Sequence, residues 1–223
     1  MDREEIKKRA EAKVRREQAR TQMYQDLVLE CAERLFSKSG FGQVTMRDIA
    51  VEAAISPKTL YAVFPGKDEI YAEVARRRSL VLLDALRTAM AGDDSTIERM
   101  RRGLHALVRF LVEHRAFFHI MMRESRSWGL LPTGEASSSG DWRAGHRLQA
   151  ELMQAGIDEG VFYDGDPELM AAISLSTTQV YLAAKLEGPG DPDSVAISEE
   201  IFDQVQRSLR KLPPLALEDS NAG

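Results

Sequence analysis

The sequence predicts an all-α chain, a three-helix N-terminal unit followed by a longer helical half. Apolar residues recur at three- and four-residue steps through most of the 223 residues, the period of helices with one buried face. No stretch alternates apolar and polar residues for long enough to read as a strand, and no segment repeats. Gly40, Gly92, Gly160, Gly188-Pro189-Gly190 and Pro213-Pro214 stand at the ends of these stretches, where such residues stop helices.

Taken in order, residues 1–19 form an arm dense in charge and poor in apolar residues, a frayed helix or a disordered segment. It reads either as a solvated tail or as a basic arm for nucleic-acid phosphates, with Lys13, Arg15, Arg16 and Arg20 as the candidates. The first firm helix spans 21–38, with Tyr24, Leu27, Val28, Cys31, Leu35 and Phe36 on its stripe and Gly40 beyond its end. Thr45 can cap a short helix whose apolar face is Met46, Ile49 and Ala50. A tight turn follows around Ala53, Ala54 and Ile55. Ser56 then stands at an N-cap position and Pro57 at the first helical position, where its missing N–H costs nothing. The helix from Pro57 to about Ala62 buries Leu60 and leaves Lys58, Thr59 and Tyr61 outward. A helix this short needs support from the rest of the chain. Its polar outer side suits a helix offered to the major groove of DNA.

A long helix then runs from Lys67 to about Met90. Arg76-Arg77-Arg78 in its middle are expected to face solvent or pair with carboxylates. Gly92-Asp93-Asp94 breaks the chain, and Ser95 can cap a helix to about His114. A short apolar helix covers about 116–124, and residues 126–141 form the longest loop. Helices at 143–160, 167–186 and 194–212 follow, and residues 213–223 are a loose tail. The domains expected are therefore a charged arm at 1–19, a helix-turn-helix unit at 20–66, a C-terminal unit at 67–212 and the tail.

Charge is divided along the chain. Residues 1–64 hold 12 Lys+Arg against 10 Asp+Glu, while the whole chain carries a net charge of −5. The basic end coincides with the short helices, as a DNA-binding unit requires. The one cysteine, Cys31, lies on a core stripe, so an intrachain disulfide is impossible and a reducing compartment is expected. No apolar run approaches the roughly 18 residues that span a bilayer, and the N-terminus lacks the apolar stretch of a secretory signal. A cytoplasmic protein with no membrane partner is expected.

The central motif also resembles a known family. Thr45-x-Arg47-Asp48-Ile49-Ala50, Ala53-Ala54-Ile55-Ser56, Thr59-Leu60-Tyr61-x-x-Phe64 and Lys67-Asp68-Glu69-Ile70 are similar to the helix-turn-helix signature of TetR-family transcriptional regulators. About ten positions agree over 26 residues. Gly156-x-x-x-Gly160-x-Phe162 before Asp166-Pro167 extends the likeness. Ala54 stands where that family usually has glycine, which implies a different turn or about 1 kcal/mol of strain. The resemblance implies a DNA-binding transcriptional regulator, most often a repressor. Its C-terminal half would bind a small-molecule effector and form a homodimer through about 167–187 and 194–212. Two recognition helices would then reach successive major grooves of operator DNA about 34–36 Å apart.

On this reading Thr45 and Arg47 hold phosphates at a helix N-terminus, Lys58 reads a guanine edge, and Thr59 meets a thymine methyl or a phosphate. Tyr61 meets a phosphate, and Lys67 is a further phosphate ligand by resemblance. Polar groups among apolar ones suggest an effector pocket of His105, Arg109, Phe118, Met121, Met122, Trp128, Trp142, Thr177 and Tyr181. Nothing suggests catalysis, a cofactor or a metal. There is no phosphate loop after a strand, no Cys-x-x-Cys and no His-Glu-x-x-His, and His105 reads best as a boundary residue. The alternatives are a helical ligand-binding protein or enzyme with an unused helix-turn-helix, and a regulator with no small-molecule effector.

Overall fold

The structure, a computed structural model, describes residues 3–124, 140–186 and 192–211. These form α1 (Arg3–Ser39), α2 (Met46–Glu52), α3 (Pro57–Val63), α4 (Lys67–Ala89), α5 (Thr96–Glu113), α6 (Arg115–Glu124), α7 (Gly140–Asp158), α8 (Pro167–Leu186) and α9 (Ser194–Leu209). Among the described residues there is no strand, only an isolated bridge between Phe162 and Arg210. The all-α class is as expected.

The chain divides into two compact units, Met1–Arg78 with His114–Glu124, and Ser79–Glu113 with Ser125–Gly223. The division falls inside α4, not at its start. It also places α6 with the N-terminal helices, because α6 packs on α1 and buries Phe117 and Phe118 completely.

In the first unit α1, α2 and α3 pack on one another. Val28, Leu29, Ala32 and Phe36 of α1 meet Ile49, Ala50, Leu60, Phe64, Ile70, Tyr71 and Val74 in one core. Cys31 is 1 % exposed, as its stripe predicted, and burial pushes its thiol pKa up. The three arginines of α4 pair with carboxylates. Arg78 meets Glu33 through two hydrogen bonds of 2.7 and 2.8 Å, Arg77 pairs with Asp26 and Glu73, and Arg76 with Glu73. Helix α1 differs most from expectation. It begins at Arg3, so the segment preceding residue 21 is part of the same helix. Its strong helix formers are joined by Glu4–Lys8, Glu5–Arg9 and Glu17–Arg20 pairs at three- and four-residue steps.

In the second unit α5 and α9 pack together, as do α7 with α8, α8 with α9, and α5 with α7. Gly156 lies so close to Phe162 that an added Cβ would stand 2.1 Å from the ring. The Val161 and Phe162 N–H groups donate to Gly156 O, and Gly160 turns the chain at φ 71°. Phe162 is thereby folded back and is 1 % exposed. Helix α9 ends at Leu209, short of the expected Leu212, because extended Arg210 enters the bridge to Phe162 and Leu209 O accepts from Tyr163 N–H. The expected loop at 126–141 falls almost wholly outside the described residues, as do Gly188-Pro189-Gly190, Pro213-Pro214 and the tail.

Candidate nucleic-acid interface

The short helices are set by their caps. At α2 the Thr45 backbone N–H and hydroxyl donate to Asp48 Oδ2 at 2.8 and 2.6 Å, and Asp48 N–H donates back to Thr45 Oγ1 at 3.2 Å. This reciprocal capping box satisfies donors that the first helical turn leaves open. Its hydrogen bonds from Thr45 hold the Asp48 carboxyl below its ordinary pKa. The partner Asp48 was missed as a cap, although Thr-x-x-Asp before an apolar position is its sequence signal.

The turn after α2 keeps the glycine geometry without the glycine. Ile55 N–H donates to Ala50 O and Ala54 N–H to Val51 O, both at 3.0 Å, the two bonds of a Schellman motif. Ala54 is the left-handed residue, at φ 51°, and no other non-glycine among the described residues has positive φ. The turn is therefore the ordinary one, held under strain.

Ser56 accepts from Thr59 N–H at 3.1 Å and starts α3, with Pro57 at its first position. Leu60 is fully buried and fixes α3 to the core. Lys58 and Tyr61 are exposed, Tyr61 to 56 %. Thr59 is half-buried, its hydroxyl 2.8 Å from Ser56 Oγ. Arg47 is exposed on α2. One short helix is thus anchored by Leu60, with Val63 beside it, while a lysine and a phenol face outward.

Lys67 has a task that sequence reasoning missed. Its ammonium donates to Phe41 O and Val44 O at 2.8 Å each and lies 4.1 Å from the Phe41 ring centroid. Two of its three protons therefore hold the loop before α2.

Residues 28–74 match the family model described as bacterial regulatory proteins, tetR family. That stretch is thus similar to the DNA-binding part of the TetR family. The likeness extends beyond the motif. The HTH-type transcriptional regulator YhgD of Bacillus subtilis is 24 % identical over 79 % of this chain and 92 % of its own. The HTH-type transcriptional repressor KstR2 of Mycobacterium tuberculosis is 25 % identical over 74 % of this chain and 82 % of its own. A tetR-family regulatory protein from Rhodococcus RHA1 shares the fold with a TM-score of 0.71 at 19 % identity, over 85 % of this chain and 98 % of that one. The chain is a DNA-binding transcriptional regulator. Its relatives are regulators and not enzymes, which sets aside the enzymatic alternative.

The expected pocket residues that are described are spread over both units. Phe118, Met121 and Met122 lie on α6 in the first unit, Phe118 wholly buried. His105, Arg109, Thr177 and Tyr181 lie in the second. Trp128 and the side chain of Trp142 fall outside the described residues. The second unit contains a cleft of about 310 Å³ lined by Ala89, Arg102, His105, Ala106, Arg109, Ser194, Val195 and Ser198. Of the nine expected residues, His105 and Arg109 reach it. Arg102 donates to Ala89 O at 2.8 Å and Ala91 O at 3.0 Å, and His105 meets Glu199, which also accepts from Arg101. The serines and Val195 come from the first turns of α9, whose approach to α5 no local pattern announces. Among the described residues no group of His, Cys, Asp and Glu could hold a metal, and no helix is long and apolar enough to cross a membrane.

Proposed function

We propose that the chain is a cytoplasmic repressor that binds a pseudo-palindromic operator as a homodimer and leaves it when a small molecule enters the second unit. The carrying observation is α3, anchored by buried Leu60 with Lys58 and Tyr61 turned outward. Lys58 is the base-reading residue, while Thr45, Arg47, Thr59, Tyr61 and the third proton of Lys67 serve phosphates. Thr45 and Thr59 are the weakest of these, since the Thr45 N–H and hydroxyl already donate to Asp48 and the Thr59 hydroxyl already meets Ser56. The sign of regulation follows the repressor KstR2.

Two features of the second unit support the remaining parts. Leu169, Ile173 and Val180 of α8 are exposed to 51, 38 and 67 %, an apolar face suited to a second copy of the chain together with α9. The cleft has the size of a small-ligand site. Alanine and valine walls beside an exposed Arg109 favour an effector with an apolar body and an acidic group. Helix α4 contributes residues to both units, so a shift of α4 would carry effector binding to α3. Linkage then requires operator DNA to weaken effector binding by the same factor.

The test is operator selection from random duplexes, followed by binding of the unaltered chain and of Lys58→Ala to single-base variants. Lys58→Ala should lose about 1–3 kcal/mol of discrimination at one base pair in each half-site. Equal loss at every position would refute a base-reading Lys58.

A further inference from the structure

The N-terminal part of α1 is a strongly charged helix that the helix-turn-helix does not use. Every side chain described between Glu4 and Gln22 is exposed, so no other described part of the protein covers this stretch. At 3.6 residues per turn, Arg9, Lys13, Arg16 and Arg20 fall within a sector of about 60°. They form one basic stripe about 16 Å long at 1.5 Å per residue. Arg15, grouped with them when the segment is read as a flexible arm, lies about 130° from the centre of this stripe once the segment is helical. Lys13 and Arg16 have no ion-pair partner among the described residues. Arg9 and Arg20 meet Glu5 and Glu17 at 3.0 and 3.7 Å in open solvent, where such pairs are weak and yield to a stronger anion.

We infer that Arg9, Lys13, Arg16 and Arg20 form a helical phosphate rail, which engages the backbone of duplex DNA outside the segment read by α3. The inference rests on the reading of the chain as a DNA-binding protein. The stripe belongs to the same unit as α2 and α3. Duplex DNA carries a charge every 3.4 Å of axis on each strand, so a rail about 16 Å long faces several phosphates. A partner helix fits the segment poorly. Its larger apolar residues between Arg3 and Gln22 are Ile6 and Val14 alone, too sparse for a coiled-coil seam.

Phosphate contacts carry no base preference, so the rail can be tested on a mixed-sequence duplex of about 40 base pairs, from 50 to 200 mM salt. Replacing all four stripe residues by Gln should lower the slope of log K against log salt by about 3. The Lys7→Gln, Lys8→Gln, Arg15→Gln variant, which removes three charges off the stripe, should change it by less than 1. Circular dichroism follows whether the helix persists. If the fourfold variant does not fold, Lys13→Gln with Arg16→Gln is the test and should lower the slope by about 1–2. Equal loss in stripe and off-stripe variants overturns the rail, because net charge alone would then act. An unchanged slope in the stripe variant, with the unaltered chain still binding, overturns the rail and leaves the α3 reading intact. No duplex binding by the unaltered chain overturns both. Stripe-dependent binding to anionic phospholipid vesicles, with duplex binding unchanged, also overturns it.

Discussion

Ala54 holds φ at 51° with a methyl group where the same turn after α7 uses Gly160 at 71°. Both turns close with the same pair of backbone hydrogen bonds, so the difference is the cost of a Cβ in the left-handed region. Ala54→Gly should relieve about 1–2 kcal/mol of strain and lose about 0.4–1 kcal/mol through the freer unfolded chain. A small net rise in melting temperature, about 1–3 °C, is expected in thermal denaturation. Lys67 is the opposite case, a charged residue whose work is internal. Lys67→Met keeps the stem and deletes the ammonium, leaving Phe41 O and Val44 O without their donor. It should cost about 1–3 kcal/mol in urea denaturation and weaken binding to all duplexes alike. Loss of DNA affinity with unchanged stability would show that Lys67 serves phosphate only.

At the scale of the element, helix starts recruit carboxylates. Asp48 caps α2 locally, whereas Glu159 reaches α5 from 63 residues away and accepts from the Thr96 hydroxyl at 2.6 Å and from Thr96 N–H at 3.0 Å. Those bonds hold the Glu159 carboxyl below its ordinary pKa. A carboxyl depressed in the folded state stabilises fully above its unfolded pKa, and the effect fades as pH falls through the folded value. Asp26, Asp48 and Glu73 are depressed by their own hydrogen bonds, so all four act in the same acidic window. Glu159→Gln should therefore lower the melting temperature at pH 7 by about 2 °C and flatten its decline below about pH 4.5. An unchanged melting profile from pH 7 to 3 would show that this cap contributes nothing.

At the scale of the whole molecule, the exposed apolar face of α8 and the outward side of α3 are, with the N-terminal stripe of α1, surfaces that folding leaves open among the described residues. Helix α8 is apolar almost all round, which its own packing against α7 and α9 does not require. Ile173→Glu with Val180→Glu should make the chain monomeric in sedimentation, because charges placed across an apolar interface are left unpaired. Operator affinity should fall by 10²-fold or more through loss of the effective concentration that joins two half-sites. A dimer that survives both substitutions would move the interface elsewhere.

Much of the first unit was legible in the sequence because its determinants are local. Thr45, Ser56 and Pro57 mark helix starts by their own chemistry, Leu60 marks the buried side of α3, and Gly40 and Gly160 mark ends by the φ they permit. These signals act over three or four residues, so they survive in a linear reading. What remained hidden depends on partners far along the chain. The Lys67 ammonium meets carbonyls 23 and 26 residues away, Glu159 caps a helix 63 residues away, and Arg210 is drawn out of α9 by Phe162. The effector residues were least legible, because apolar and aromatic side chains suit a core and a pocket equally. Only packing assigned Phe118 to α1 and brought Ser194 and Ser198 beside His105 and Arg109. The sequence by itself thus determined most of the helices, the caps Thr45 and Ser56 and the outward residues of α3, since period and capping are short-range. The tertiary structure decided where α4 divides, which helix α6 joins and what surrounds the cleft, since those are set by burial between distant segments.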